Sequence, residues 1–567
     1  MKRWQPQPAL ACIALALAVM LAACQPSVGA PRLTPAVRPS DAPALATPTP
    51  RYPPFNSTPT PPLRVEAPAW AQDAVAYELC VASFYDSNGD GLGDLPGLTQ
   101  KLDYLNDGNP ATTDDLGVDV LCLLPIFTAA SPAGFDTLDH FTIRPAYGTR
   151  QDLTRLAEEC HRRGMHLVLD YVMSYVSDQQ PFFQHAFKNL NSVYGDWFVW
   201  HDAPHTRYKA FDDNPALPVL NGEAQGVQEY ALRLARYWMD PDADGDYTDG
   251  VDGYRCVDAQ GLPHAFWGRL RAQSKALRPD FWLLGDVRGD AQTIAGYLQE
   301  QFDAALDGPL YAALAERGGP PGQGLLGSGG APGRIDAALR QSATFYPWGA
   351  GSVSFLNRHA TPRVMSAVQG DAQRARLAAM LLLTLPGTPL LYYGEELGMA
   401  GGPRAGQPNA EDYALEPLDW YAAETGPGMT TWFRPADRDN RPHDGVSVEE
   451  QTGSPGSLLS LYRRLIRLRQ AHAALRRGGY ERVSAGSCAP QVLAYLRQDA
   501  NSHLLVVLNL SREPAPAAFD LGASSLPAGP WTVTDLLANQ VLSPSSASTY
   551  TLNLPPQSDF ILLLKRP

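Results

Sequence analysis

Asp86, Asn88, Asp90 and Asp94 set oxygen-bearing side chains along a short glycine-rich stretch, at mostly alternate positions. Hard cations such as Ca²⁺ gather several oxygens at short range, and glycine lets a loop curl around the ion. Leu92 falls between the last two and offers a backbone carbonyl. The spacing points to a cation-binding loop, with a metal-free acidic turn as the other reading. A second acidic run, Asp242, Asp244, Asp246 and Asp249, carries a weaker form of the same signal and reads more readily as a solvated turn. The cysteines give a different answer. Cys80, Cys122, Cys160, Cys256 and Cys488 are scattered with no CxxC pair, so they form neither a disulfide framework nor a zinc site. Buried free thiols account for them. Neither a Walker-type phosphate loop nor a G-x-S-x-G element is present; Gly89-Asp90-Gly91-Leu92-Gly93 belongs to the acidic loop.

These residues need a scaffold, and the hydrophobic pattern supplies one. Short apolar runs at Ala74–Phe84, Val118–Leu124, Met165–Val172, Gly253–Val257, Phe281–Gly285, Ser352–Leu356 and Pro389–Tyr393 read as buried strands, with a fainter one near Phe302–Leu306. Helical patterns lie between them, among them Gln151–Arg163, Tyr230–Met239 and Ala372–Leu383, and Ser457–Leu475 closes the series. So many strand–helix units predict a parallel (β/α)₈ barrel over residues 69–477. An insertion of about 177–228 follows the third strand. Residues 478–567 return to short alternating runs, Gln491–Tyr495, His503–Leu508, Trp531–Asp535 and Phe560–Leu564, and predict a C-terminal antiparallel β domain.

The N-terminus reads as a targeting segment. Lys2 and Arg3 precede an apolar run that ends in Leu21-Ala22-Ala23-Cys24 and resembles the bacterial lipoprotein signal. That resemblance implies cleavage before Cys24, lipid on its thiol, and an extracytoplasmic protein anchored to a bacterial membrane. The run is short for a transmembrane span. Residues 25–68, rich in Pro, Thr and Ala, read as an extended tether. With 567 residues and 44% hydrophobic content the chain has ample material for a core, and its formal net charge of -14 argues against nucleic acid as a partner.

Several stretches resemble the α-amylase family of glycoside hydrolases, in the style of its oligoglucosidase and cyclomaltodextrinase-like branches. They are Phe84 through Asp94 after the first strand, Gly117-Val118-Asp119 before the second, and Trp238-Met239-Asp240-Pro241 with Asp249 through Arg255 around the fourth. Leu385 through Glu396 covers the eighth. The resemblance implies a structural Ca²⁺ in the loop of Asp86, Asn88, Asp90, Leu92 and Asp94. It also implies retaining chemistry on α-glucosidic bonds, which needs a carboxylate nucleophile and a carboxylic acid about 5 Å apart.

The catalytic positions depart from the family pattern. The nucleophile should stand two residues after Arg255, where this chain has Val257; Asp258 is one residue further. Pro263 and Phe266-Trp267 keep the family spacing, which favours substitution over insertion. Because side chains alternate along a strand, Asp258 is expected to face away unless a bulge turns it inward. The acid/base glutamate is replaced by Asp286, one methylene shorter, and a misplacement of about 1 Å can cost roughly 10²-fold in rate. The stabilising aspartate of an Asn-His-Asp motif becomes Ala360 in Asn357-Arg358-His359-Ala360. The third-strand histidine becomes Tyr175. Phe135 and Asp136 stand at the family's glycone subsite, so Phe135, Asp136, Tyr175, Arg255 and His359 are the expected sugar contacts, His359 serving equally well as a satisfied core histidine.

Groups that act as a unit lose most of their effect when several are gone. The expected function is therefore a non-hydrolytic protein that binds α-glucan or maltooligosaccharide. Two others remain open: a weak α-glucosidase or transglycosidase using Asp258 and Asp286, and a non-enzymatic interaction scaffold.

Overall fold

Eight short strands, buried at nearly every residue, line the centre of the protein: β1 (Ala76–Leu79), β2 (Val120–Leu123), β3 (His166–Val172), β4 (Gly253–Val257), β5 (Trp282–Gly285), β6 (Ala304–Leu306), β7 (Gly351–Phe355) and β8 (Thr388–Tyr392). They pair in chain order and β8 returns to β1, so the sheet closes into a parallel barrel. Burial on both faces explains why the strands read as continuous apolar runs rather than alternating ones. The computed structural model describes residues 67–315, 332–347, 349–404, 410–486, 491–546 and 548–567. Cys24, Cys488 and most of the tether lie outside the described residues. Cys80, Cys122, Cys160 and Cys256 are buried free thiols.

The helices between strands form for local reasons. Helix Arg150–Arg162 starts at a capping box in which Thr149 and Asp152 satisfy each other's backbone donors, and it buries Leu153, Leu156, Ala157 and Cys160 on one stripe. Helix Ala372–Thr384 is capped by Asp371 and is buried on every side from Leu377 onward, and its last residue, Thr384, meets Tyr495 and Arg497 of the β domain. The first strand is shorter than its apolar run suggests. After Leu79 the chain bends into a 3₁₀ turn, Val81–Ser83, that carries it out of the barrel, and the Ser83 hydroxyl donates to Leu415 O at 2.5 Å.

The insertion after β3 holds a short helix, Pro181–Ala186, and a hairpin of Ala210–Phe211 with Asn214–Pro218. Its aromatic side chains pack on one another, and the following helix, Gln225–Met239, begins just inside its expected end. The C-terminal domain contains a six-stranded antiparallel sheet and a separate pair, Ala515–Asp520 with Thr549–Leu554. That pair escaped the sequence reading: its inward residues are small at Ala515 and Ala517, which weakens the alternation that marks a strand. The Arg497 guanidinium ties the domain to the barrel by donating to the Thr384 carbonyl, and it also donates to the carbonyl of Gly478, the domain's first residue, at 2.9 Å.

Candidate active site

The floor of the barrel mouth is a closed set of charges. Asp170 on β3 and Arg255 on β4 are register partners. Arg255 donates Nε to Asp170 Oδ1 at 2.6 Å and Nη2 to Asp170 Oδ2 at 2.7 Å, and Nη1 to Glu78 on β1. The second Glu78 oxygen lies 2.9 Å from His359 Nδ1. Burial works against charge at Glu78, but Arg255 and His359 outweigh it and hold that carboxyl well below the usual range. At Asp170 burial wins and the pKa rises. Arg255 is fully buried, with its guanidinium taken up by these two acids. Glu78 was missed from sequence; its one signal is a lone charged residue inside an apolar strand.

Above this floor stands the acid/base position. Asp286 follows β5 and is nearly buried, and its carboxylate accepts directly from Arg358 Nη1. Burial alone would raise its pKa; the Arg358 charge and hydrogen bond outweigh that and hold it below the ordinary value. A general acid must carry a proton near the working pH, which glycosidases arrange by raising the pKa. Asp286 is driven the opposite way. Arg358 stands directly before His359, where the family's motif has asparagine, so the residue that pairs with Asp286 is legible in place though not in consequence. Ala360 is exposed and offers no oxygen.

The nucleophile position is occupied by Val257, which shares the inward face of β4 with Arg255. Strand parity does not decide the direction of Asp258, because β4 ends at Val257. Asp258 enters a left-handed turn with φ 48° and ψ 57°, a conformation that aspartate tolerates better than most residues. The turn is tight: a β-carbon on Gly261 would lie 2.2 Å from Ser174 Cβ, so only glycine fits there. Burial raises the Asp258 pKa, and after it the groups that act include Arg288, Asp286 and Asp212. Among the described residues Asp258 makes no ion pair with Arg255 or Arg358.

The expected sugar contacts separate. Phe135 stacks on the His359 imidazole at 4.6 Å and 27°, and both are nearly buried. Asp136 is half-buried beside them; Oδ1 accepts from Ser131 N at 3.0 Å and Ser131 Oγ at 2.7 Å, and burial raises its pKa. Tyr175 belongs to another cluster. It is 3% exposed, and its ring stacks on Phe211 of the insertion hairpin at 4.0 Å, so that face is already covered.

In the glycine-rich loop each acid holds its own backbone. Asp86 accepts from the amides of Asn88, Gly89 and Gly91, Asn88 from Asp90 N, and Asp90 from Leu92 N. Asp94 accepts from Ser87 and caps the next helix through Gly97 N at 2.6 Å. Carboxylates retain further lone pairs after such bonds, so the donor chemistry suits a hard cation, although the oxygens of Asp86, Asp90 and Asp94 do not all lie within 4.8 Å of one another. In the second acidic run the oxygens that come within 4.8 Å of one another belong to Asp240, Asp242 and Asp244. Asp240 had not been singled out. Asp249 sits apart, pushed up to about 6 by burial and by repulsion from Asp242, Asp244 and Asp246.

Comparison with known proteins agrees with this architecture. Residues 79–478, well over half of the chain, match the family model "Alpha amylase, catalytic domain", and residues 483–561 match "Maltogenic Amylase, C-terminal domain". The chain is 29% identical over 464 residues to Alpha-amylase 3 of Dictyoglomus thermophilum, covering 78% of this chain and 86% of that one. It is 30% identical over 475 residues to a cyclomaltodextrinase of a Bacillus species, covering 78% and 74%. Among solved structures, the α-amylase from H. orenii matches with TM-score 0.72 and 29% identity, covering 87% of this chain and 99% of that one. A barrel closed in this order, matched from its first strand to its last helix and followed by the matching β domain, places the chain in the α-amylase family of α-glucan metabolism.

Proposed function

We propose that the protein binds α-glucan or maltooligosaccharide without cleaving it. The observation that carries this reading is the Arg358–Asp286 ion pair, which favours the ionised form of the acid/base carboxyl. Retaining hydrolysis also needs an attacking carboxylate opposite that acid. Val257 cannot supply one, and Asp258 leaves the strand in a left-handed turn where it meets the charges of Arg288, Asp286 and Asp212. Phe135, which stacks on His359, and Asp136 next to it in the chain are the groups assigned to the sugar. Purified protein is expected to be retarded on an amylose column and released by free maltotriose. Elution at the void volume would defeat the sugar-binding reading.

We also propose Ca²⁺ in the loop Asp86–Asp94, where it would fasten the start of the barrel wall and supply no chemistry. Asp90 is the ligand to test, because it is exposed and its removal leaves Asp86 and Asp94 to shape the loop. Ca²⁺ at about a hundred times its Kd is expected to stabilise the wild type by about 2.7 kcal/mol, and Asp90→Ala should lose most of that gain. An equal shift of Tm by Ca²⁺ in both proteins would place the ion elsewhere.

A further inference from the structure

The two sides of the barrel mouth are built differently. On one side, the segments after β2 and β7 contribute Phe135, Asp136 and His359. On the other, the segments after β3, β4 and β5 are bound together by the insertion hairpin. Arg288 donates to both carboxylate oxygens of Asp212 at 3.1 Å, and its guanidinium lies 5.1 Å from the Phe211 ring centre. Phe211 in turn stacks on Tyr175 at 4.0 Å and 23°. The Arg288 backbone is fixed from below: its amide donates to Gln260 Oε1 at 3.0 Å, and Gln260 Nε2 donates to its carbonyl at 2.6 Å. Asp212 and Asp213 both take positive φ, 46° and 58°, which turns the hairpin tip tightly enough to present Asp212 to Arg288.

An ion pair this exposed contributes little by itself. The stack of guanidinium, Phe211 and Tyr175 gives the contact its shape, and three consecutive strand ends hold it in place. In a glycosidase the acid/base stands on the leaving-group side of the scissile bond. Asp286 is that position here, and Arg288 lies just beyond it on the same segment. The hairpin is thereby joined to the segment that carries Asp286.

We infer that Arg288 and the hairpin Ala210–Pro218 close the leaving-group side of the mouth, so that the site takes the end of a maltooligosaccharide and excludes the middle of a chain. This rests on the sugar-binding reading above and adds a length and end preference to it. Arg288 acts as a specificity residue by steric exclusion.

The test compares maltotriose, which has ends, with β-cyclodextrin, a ring that has none, by titration calorimetry on the whole protein. The wild type is expected to bind maltotriose and to bind β-cyclodextrin at least about tenfold more weakly. Arg288→Ala should bring the two within about threefold by admitting the ring. Asp212→Ala, at an exposed hairpin tip, provides the same release without touching the strand end and should give the same result. Equal binding of ring and linear sugar by the wild type would overturn the inference while leaving sugar binding intact. A wild-type preference that survives both variants would overturn the clamp as its cause. Failure of all three proteins to bind either sugar would remove the sugar-binding reading and this inference together.

Discussion

Val257→Asp, Asp286→Glu, Arg358→Asn and Ala360→Asp, made together, are expected to create a working α-glucosidase from this chain. The rate on maltotriose should rise by about 10³-fold or more over the parent, because the residues act as a unit. Each substitution restores one missing requirement. Val257 faces inward with Arg255, so an aspartate there points to the reacting carbon instead of following Asp258 into its turn. Removing Arg358 frees the acid/base from its ion pair, and the burial that now opposes its charge would raise its pKa towards the working pH. The longer glutamate recovers the lost methylene. Ala360→Asp returns the group that holds sugar hydroxyls. Each single variant should stay inactive, since none completes the acid–nucleophile pair. Glucose release with retained anomeric configuration, followed by NMR, checks the outcome. A folded quadruple variant that binds maltotriose yet never cleaves it would show that the surrounding loops have changed too far.

Arg255→Met is expected to cost about 3–5 kcal/mol of stability, because it leaves two carboxylates buried without their cation. Asp170 and Glu78 both lose their guanidinium partner, and among the described residues His359 remains the side chain within hydrogen-bond reach of Glu78. Urea unfolding measures the loss. By contrast, Arg288→Ala breaks a pair exposed on both sides and should change stability by less than about 1 kcal/mol. The pH dependence follows from direction alone. In the wild type the Glu78 pKa is depressed, so its contribution is present above the unfolded carboxyl range and is lost as pH falls through the folded value. In Arg255→Met burial dominates, the carboxyls take up protons, and the deficit should shrink as pH falls towards 4. A deficit that stayed constant from pH 7 to 4 would argue against charge burial as its origin.

The barrel was legible because parallel strands buried on both faces leave continuous apolar runs, and even the faint run near Phe302–Leu306 marks β6. Val257, Asp286 and Ala360 could be placed against the family pattern because its motifs fix their spacing. What stayed hidden depends on closure of the ring. Arg358 reaches Asp286 across 72 residues, Arg288 reaches Asp212 across 76, and Arg255 reaches Glu78 across 177. No local periodicity encodes such pairs. The direction of Asp258 was hidden for another reason: alternation holds inside a strand, and β4 ends one residue before it.

We propose that the carboxylates at this mouth do not perform retaining hydrolysis. Incubating the purified wild-type protein with maltotriose and following glucose by coupled assay tests it most directly. The expected progress curve is flat over days. Turnover at an ordinary enzymatic pace, about 1 s⁻¹ or faster and abolished by Asp258→Ala, would contradict the claim and restore Asp258 as a nucleophile.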